Sequence, residues 1–166
     1  AVCQFAVGVD NIDLAACKAA GVTVTNTPGA VTDGTADLAW ALILGVARRI
    51  NVADRFTRGA EYSKAGPLGP DEFLGQDLTG KNLLIVGAGR IGYATALRSI
   101  GWGMRVSYVA RQRHLDFEMA PLGARHVSLE DGLKEADVVS IHTPLTPETR
   151  GLINAQRLAL LKPTAI

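Results

Sequence analysis

Three glycines at fixed spacing, Gly87, Gly89 and Gly92, stand between an apolar segment and a segment of helical composition. Residues 83–86 are predicted to form a buried strand, and residues 90–100 a helix. In such a turn the first glycine permits a tight bend, the second lets the backbone approach a diphosphate, and the third lets helix and strand pack closely. A plain strand-to-helix turn without a ligand is the alternative. The flanking strand and helix favour a dinucleotide site, because a helix N-terminus attracts anions.

Strands and helices alternate along the rest of the chain. Predicted strands cover residues 4–9, 22–25, 83–86, 104–109, 126–127 and 138–142, with one more beginning at 165, and predicted helices cover 12–20, 32–58, 90–100, 115–122, 129–135 and 154–161. Glycine, proline and acidic residues mark 59–80 as a linker or exposed loop. This order predicts an α/β fold with a doubly wound, Rossmann-type parallel sheet.

The composition argues against several classes of partner. Lysine and arginine number 17 against 16 acidic residues, a net charge of +1, so neither nucleic acid nor a membrane surface is expected as a partner. The most apolar stretch, residues 36–47, is too short to cross a bilayer, and no signal peptide is visible. Cys3 and Cys17 match no metal-site spacing, so no metal is expected. We expect a cytoplasmic protein.

The end of the next predicted strand bears on the choice of cofactor. A site for NAD places an acid about 20 residues beyond the glycines, where it accepts hydrogen bonds from the adenosine ribose. This sequence has Ala110, Arg111, Gln112 and Arg113 there, and no carboxylate before Asp116. Arginines bind a 2′-phosphate that an acid would repel. The segment therefore favours NADP(H), with NAD(H) possible; the alternative is that both arginines are solvated loop charges.

Several separate motifs carry a resemblance to a known family. They are VGVDNID at 7–13, NTPG at 26–29, TADLA at 35–39, GK at 80–81, GAGRIG at 87–92 and HTPLTPET at 142–149. With these motifs in order over the whole chain, the sequence resembles the D-isomer-specific 2-hydroxyacid dehydrogenases. The resemblance implies a two-domain enzyme. Residues 1–28 would be part of a flavodoxin-like substrate domain, and residues 29–166 an interdomain helix and the NAD(P)-binding domain.

The resemblance also assigns roles to individual residues. The backbone at Val7 and Gly8 would bind the substrate carboxylate. Four groups of cofactor contacts are expected: Gly87, Gly89 and Gly92 in the turn, Arg90 and Ile91 at the diphosphate, the Ala110–Gln112 segment with Arg113 at the ribose, and Thr143, Pro144 and Thr149 on the adenosine side.

The implied activity is hydride transfer between NAD(P)H and a small 2-oxo or 2-hydroxy acid, as in glyoxylate/hydroxypyruvate reductases, by a homodimer. The family's catalytic arginine, glutamate and histidine are expected beyond residue 166, so this chain is expected to be an inactive fragment without catalytic residues. His142 ends a predicted strand on the side where ligands bind, so it is a candidate catalytic acid. The family resemblance instead implies a structural role for this residue. His114 and His126 receive no catalytic role, and the helix around Trp40 is interpreted as core or subunit interface.

Two other functions use the same fold. A dinucleotide-sensing binding protein, like the family's transcriptional corepressors, would need a partner-binding surface, and no sequence feature points to one. Formate dehydrogenases and adenosylhomocysteine hydrolases share the core but differ in their substrate residues. The VGVD stretch at 7–10 favours the hydroxyacid dehydrogenases over these enzymes.

Overall fold

The computed structural model describes residues 1–166. Six strands are present: β1 Val2–Cys3, β2 Val24–Thr25, β3 Asn82–Val86, β4 Arg105–Val109, β5 Arg125–His126 and β6 Val138–Ile141. Seven α-helices accompany them: α1 Leu14–Ala19, α2 Thr32–Ala47, α3 Ile50–Arg58, α4 Arg90–Arg98, α5 Leu115–Glu118, α6 Leu129–Glu135 and α7 Ala155–Leu158. Short 3₁₀ turns cover Tyr62–Lys64 and Ser99–Trp102.

The main sheet has four parallel strands in the order β5-β4-β3-β6. Ile166 continues this order beyond β6, because its N–H donates to the carbonyl of Asp137 at 2.9 Å and its carbonyl accepts from the N–H of Val139 at 2.8 Å. The predicted strand start at residue 165 therefore has the hydrogen bonding of a fifth parallel strand. The prediction of a doubly wound parallel sheet is confirmed.

Strand β3 lies between two hydrophobic clusters, one on each face of the sheet, which explains its unbroken apolar sequence. Leu83 and Ile85 point to one side, where they pack with residues that include Trp40, Tyr108 and Phe117. On the opposite side, the alternate β3 residues pack against α6, in a cluster of Leu84, Val86, Leu129, Leu133 and Ala136. Because helices cover both faces of the sheet, a ligand site can form at the carboxyl ends of the strands. We call this end of the sheet its carboxyl edge.

The N-terminal residues form a separate small unit. Strands β1 and β2 pair only with each other, in parallel. Helix α1 begins where the carboxylate of Asp13 accepts from the N–H of Ala16 at 2.8 Å, and it ends before Gly21, which has a φ of 65°. The prediction of a strand at residues 4–9 is wrong. The strand pairing with β2 covers only Val2 and Cys3. The N–H of Gln4 still donates to the carbonyl of Thr25 at 2.8 Å, and the backbone then bends at residues 5–7.

The predicted single helix over residues 32–58 is also wrong, because it is broken between α2 and α3. The N–H of Gln76 donates to the carbonyl of Ala47 at 2.7 Å, and Gly75 lies so close that a Cβ there would be 2.4 Å from the same oxygen. That carbonyl accepts its hydrogen bond from the loop at 59–80, so the helix ends. Arg49 then takes a left-handed conformation, with a φ of 54°.

Other predicted elements are present with shorter bounds. The helix predicted at 115–122 ends at Glu118, and the one predicted at 154–161 covers only α7. Helix α2 follows Val31 without a side-chain cap. None of the helices combines the length and apolar composition that a bilayer crossing requires.

Candidate functional site

The turn between β3 and α4 is packed so tightly that two of its glycines have no room for a side chain. Gly87 has a φ of 108°, and a Cβ there would lie 2.8 Å from the backbone carbonyl of His142. A Cβ on Gly92 would lie 2.2 Å from the carbonyl oxygen of Gly87. Gly89 differs, because no atom lies within 4 Å of the position of its Cβ. Its backbone therefore faces open space, as close approach to a ligand requires.

Helix α4 presents free hydrogen-bond donors at this turn. Gly89 precedes the helix with extended backbone and no side-chain cap. The N–H groups of Gly89, Arg90, Ile91 and Gly92 donate to no group of the protein. Together with the positive end of the helix dipole, these donors suit the diphosphate of a dinucleotide.

The segment after β4 contains two arginines in different surroundings. Arg111 is exposed and makes neither a hydrogen bond nor an ion pair through its side chain. Arg113 is bound to Glu118, with its Nε 2.9 Å from Oε1 and 3.1 Å from Oε2, and its Nη2 also donates to Oε2. Ala110 is half-buried, and its carbonyl lies 3.0 Å from Nε2 of His126. The segment thus offers one free guanidinium and one paired guanidinium.

Glu118 connects this segment to the core, a role that the sequence interpretation missed. Its Oε1 also accepts from the hydroxyl of Tyr108 at 2.6 Å, and that hydroxyl accepts from the backbone N–H of His114 at 2.8 Å. The hydrogen bonds from Arg113 and then from Tyr108 lower the pKa of the Glu118 carboxyl to about 2. Burial, followed by the bond to Glu118, raises the pKa of Tyr108. The only feature of the sequence that pointed to this ion pair was the five-residue spacing between Arg113, which precedes α5, and Glu118 at its end.

The loop after β6 borders the same edge of the sheet. The hydroxyl of Thr149 donates to the carbonyl of Pro144 and accepts from the N–H of Thr146 at 2.8 Å. These bonds hold the loop that begins at Thr143. A hydrogen bond from Thr146, and more weakly the positive charge of Arg111, lower the pKa of Glu148. Because β4 and β6 both pair with β3, the loops that follow them lie on either side of the glycine turn.

His142 is half-buried and directly follows β6. Its Nε2 is 2.8 Å from the hydroxyl of Ser140, and its backbone N–H donates to Val86 at 2.7 Å. Burial lowers the pKa of the imidazole. Its backbone also contacts Gly87, so this residue helps to shape the turn.

The loop at Val7 and Gly8 is held by two side-chain amides. Asn26 Nδ2 donates to the carbonyl of Val7 at 2.8 Å, and Gln4 Nε2 donates to the carbonyl of Gly8 at 3.0 Å. The carbonyls of Val7 and Gly8 thus have partners, whereas their N–H groups have none in the protein. This loop belongs to the small β1-β2 unit, whereas the other predicted site residues lie together at the carboxyl edge of the main sheet.

Comparison with known proteins identifies the relatives of this arrangement. The sequence model of the NAD binding domain of D-isomer specific 2-hydroxyacid dehydrogenases matches residues 40–166. The glyoxylate reductase of Thermococcus litoralis is 50% identical over 167 residues, a match that covers 99% of this chain and 50% of that protein. The chain therefore spans about half the length of the curated relatives that it matches.

Solved structures of related enzymes are similar to the chain in both fold and sequence, and two of them serve as examples. D-lactate dehydrogenase from Aquifex aeolicus, complexed with NAD and lactic acid, is 33% identical with a TM-score of 0.82, covering 96% of this chain and 46% of that chain. A glyoxylate reductase from Paecilomyes thermophila is 34% identical with a TM-score of 0.80, covering 95% of this chain and 45% of that chain.

Proposed function

The chain belongs to the D-isomer specific 2-hydroxyacid dehydrogenase family, and on this premise we propose that it is the nucleotide-binding part of a reductase of small 2-oxo acids. The observation that carries the proposal is the glycine turn with its four unpartnered N–H groups. The 50% sequence identity to a glyoxylate reductase supports glyoxylate as the substrate. Hydroxypyruvate is the alternative that the family resemblance implies.

The residues of the turn fit a nicotinamide dinucleotide. Gly89 and the N–H groups of the first turn of α4 would hold the diphosphate, and the loops after β4 and β6 would enclose the adenosine, with Thr143, Pro144 and Thr149 on one side. When bound, this cofactor supplies the hydride for reduction of a carbonyl carbon. The chain's own residues bind and orient it, and His142 keeps the turn in shape through its backbone.

The 2-oxo acid would meet the chain at the loop of Val7 and Gly8. Two adjacent N–H groups without partners are suitable donors to a carboxylate. Asn26 and Gln4 keep the loop in place by binding the carbonyls of these two residues. We assign residues 1–28 to a substrate domain and residues 29–166 to the cofactor domain with its connecting helix.

The preferred cofactor in this proposal is NADPH. No carboxylate stands at the end of β4 to accept hydrogen bonds from ribose hydroxyls, and the free guanidinium of Arg111 is a donor for a 2′-phosphate. NADH would bind through the same turn without that contact.

The proposed assembly is a homodimer formed through α2. One face of this helix, with Trp40, Ile43 and Ala47, is buried in the core. Leu38, Leu42 and Val46 follow one another at four-residue spacing on the other side and are more than half exposed. Such an apolar stripe is typical of a protein–protein contact, and a second copy of α2 would present the same apolar side chains to it.

The proposal is tested with the purified product of the complete gene. We expect glyoxylate or hydroxypyruvate to be reduced with consumption of NADPH, and the Gly89→Ala variant to raise the KM for the dinucleotide. The 166-residue chain alone is expected to bind the dinucleotide without turnover. Absence of dinucleotide binding by either protein would refute the proposed site.

A further inference from the structure

The two arginines after β4 differ in what their side chains can still bind. The guanidinium of Arg113 uses both its Nε and its Nη2 on the carboxylate of Glu118. The side chain of Arg111 has no hydrogen bond or ion pair, so all of its donors are available. Both residues are exposed, so solvent access alone does not distinguish them.

Releasing Arg113 would disrupt more than one contact. Its partner Glu118 is only 14% exposed, and its Oε1 also accepts from the hydroxyl of Tyr108. Tyr108 is fully buried and packs against Phe117 with ring centroids 4.7 Å apart. If Arg113 turned to a phosphate, a largely covered carboxylate would lose the cation that offsets its charge. The structure therefore favours Arg113 remaining on Glu118.

The same contacts hold the segment that carries Arg111. The hydroxyl of Tyr108 accepts from the backbone N–H of His114, and the ring nitrogen of His126 lies 3.0 Å from the carbonyl of Ala110. The backbone is thus fixed on both sides of Arg111, at Ala110 and at Arg113–His114. A fixed backbone limits the conformations that Arg111 loses when it binds an anion.

Arg111 is the residue that meets the 2′-phosphate in the function proposed above; we propose in addition that Arg113 does not contact this phosphate, and that Arg113 and Glu118 form a positioning pair that holds the segment carrying Arg111. This assignment rests on the proposed function, because it concerns the same dinucleotide site. A phosphate bound by Arg111 discriminates NADPH from NADH. The positioning pair serves the adenosine ribose of both cofactors equally.

The test is a comparison of Kd values for NADPH and NADH, measured by fluorescence titration of the full-length protein. Arg111→Ala is expected to weaken NADPH binding about tenfold or more, because a charge-assisted contact is lost, and to leave NADH within about twofold. Arg113→Ala and Glu118→Gln are expected to weaken both cofactors by the same factor. Because the two residues act as one unit, the double variant should resemble either single variant.

Two further variants complete the design. Arg113→Lys keeps one cation beside Glu118 and should restore part of the lost affinity for both cofactors. Arg105→Ala removes a charge at the opposite end of β4, where the guanidinium binds only Asn82, and should change neither Kd. A selective loss of NADPH affinity in Arg113→Ala, as large as that in Arg111→Ala, would overturn the division of roles. An unchanged NADPH-to-NADH ratio in Arg111→Ala would refute the NADPH preference itself.

Discussion

A Cβ on Gly92 would stand 2.2 Å from the carbonyl oxygen of Gly87, closer than any side chain can come to backbone. Gly92→Ala must therefore displace α4 from β3, and we expect it to lower the free energy of unfolding by at least about 2 kcal/mol. Gly89→Ala has space for its methyl group and should change stability by less than about 0.5 kcal/mol while weakening dinucleotide binding. Urea denaturation and cofactor titration of both variants separate the two effects. Equal stability of the two variants would contradict the packing argument.

The indole of Trp40 joins α2 to α4. Its N–H donates to the buried carbonyl of Thr95 at 2.9 Å. Trp40→Phe removes this donor and part of the packed ring, so we expect a loss of about 1–3 kcal/mol in urea denaturation. Trp102, which stacks on Trp40 at 5.8 Å but is 43% exposed, is the control, and Trp102→Phe should cost less. If Trp102→Phe lost more unfolding free energy than Trp40→Phe, the hydrogen bond from Trp40 to Thr95 would not be the main contribution.

The stability contributed by Glu118 is expected to depend on pH. Its pKa falls from a usual value near 4.5 to about 2 in the folded protein. The contribution is therefore complete above about pH 5 and is lost as the pH falls from there towards about 2. The difference in Tm between the unmodified protein and Glu118→Gln should be largest near neutral pH and shrink in this acid range. Glu61→Gln, which changes an exposed carboxylate without a partner in the protein, is the control variant.

The main sheet was predictable because its central strand, β3, is buried on both faces. The apolar run in β3 and the glycine spacing that follows it are local patterns with one structural explanation each. The alternation of strands and helices then predicts a doubly wound parallel sheet, but not the order of its strands. The small β1-β2 sheet was predicted less well, because each of its strands has only two residues and a single partner, so the sequence pattern is short.

The errors arose where distant residues decide local structure. The apolar sequence of residues 32–58 is compatible with one helix, but the carbonyl of Ala47 accepts from Gln76, which lies far along the chain. The partner of Arg113 was missed for a related reason. Glu118 was interpreted as part of a longer helix, and only the end of α5 at this residue, beneath Tyr108, brings the two charges together.

The exposed stripe on α2 predicts a dimer contact. Leu42 lies at its centre and is 63% exposed. A carboxylate there would be buried without a partner in a symmetric contact, so Leu42→Glu is expected to produce monomers. Sedimentation velocity on the full-length protein measures the change. Leu115→Glu places the same charge at an equally exposed position on α5 and should leave the oligomeric state unaltered; dimers of Leu42→Glu would exclude this face.

In the proposed cofactor site, Ala110 stands where an acid would select NADH. It follows β4 directly and stands beside Arg111. An aspartate there would accept hydrogen bonds from the ribose hydroxyls of NADH and repel the 2′-phosphate of NADPH. We expect Ala110→Asp to lower kcat/KM for NADPH about tenfold or more and to raise that for NADH. Ala110→Asn has nearly the same size without the charge, so it should reduce NADPH use much less. If aspartate and asparagine have equal effects, bulk rather than charge governs this position, and the electrostatic account of cofactor choice is wrong.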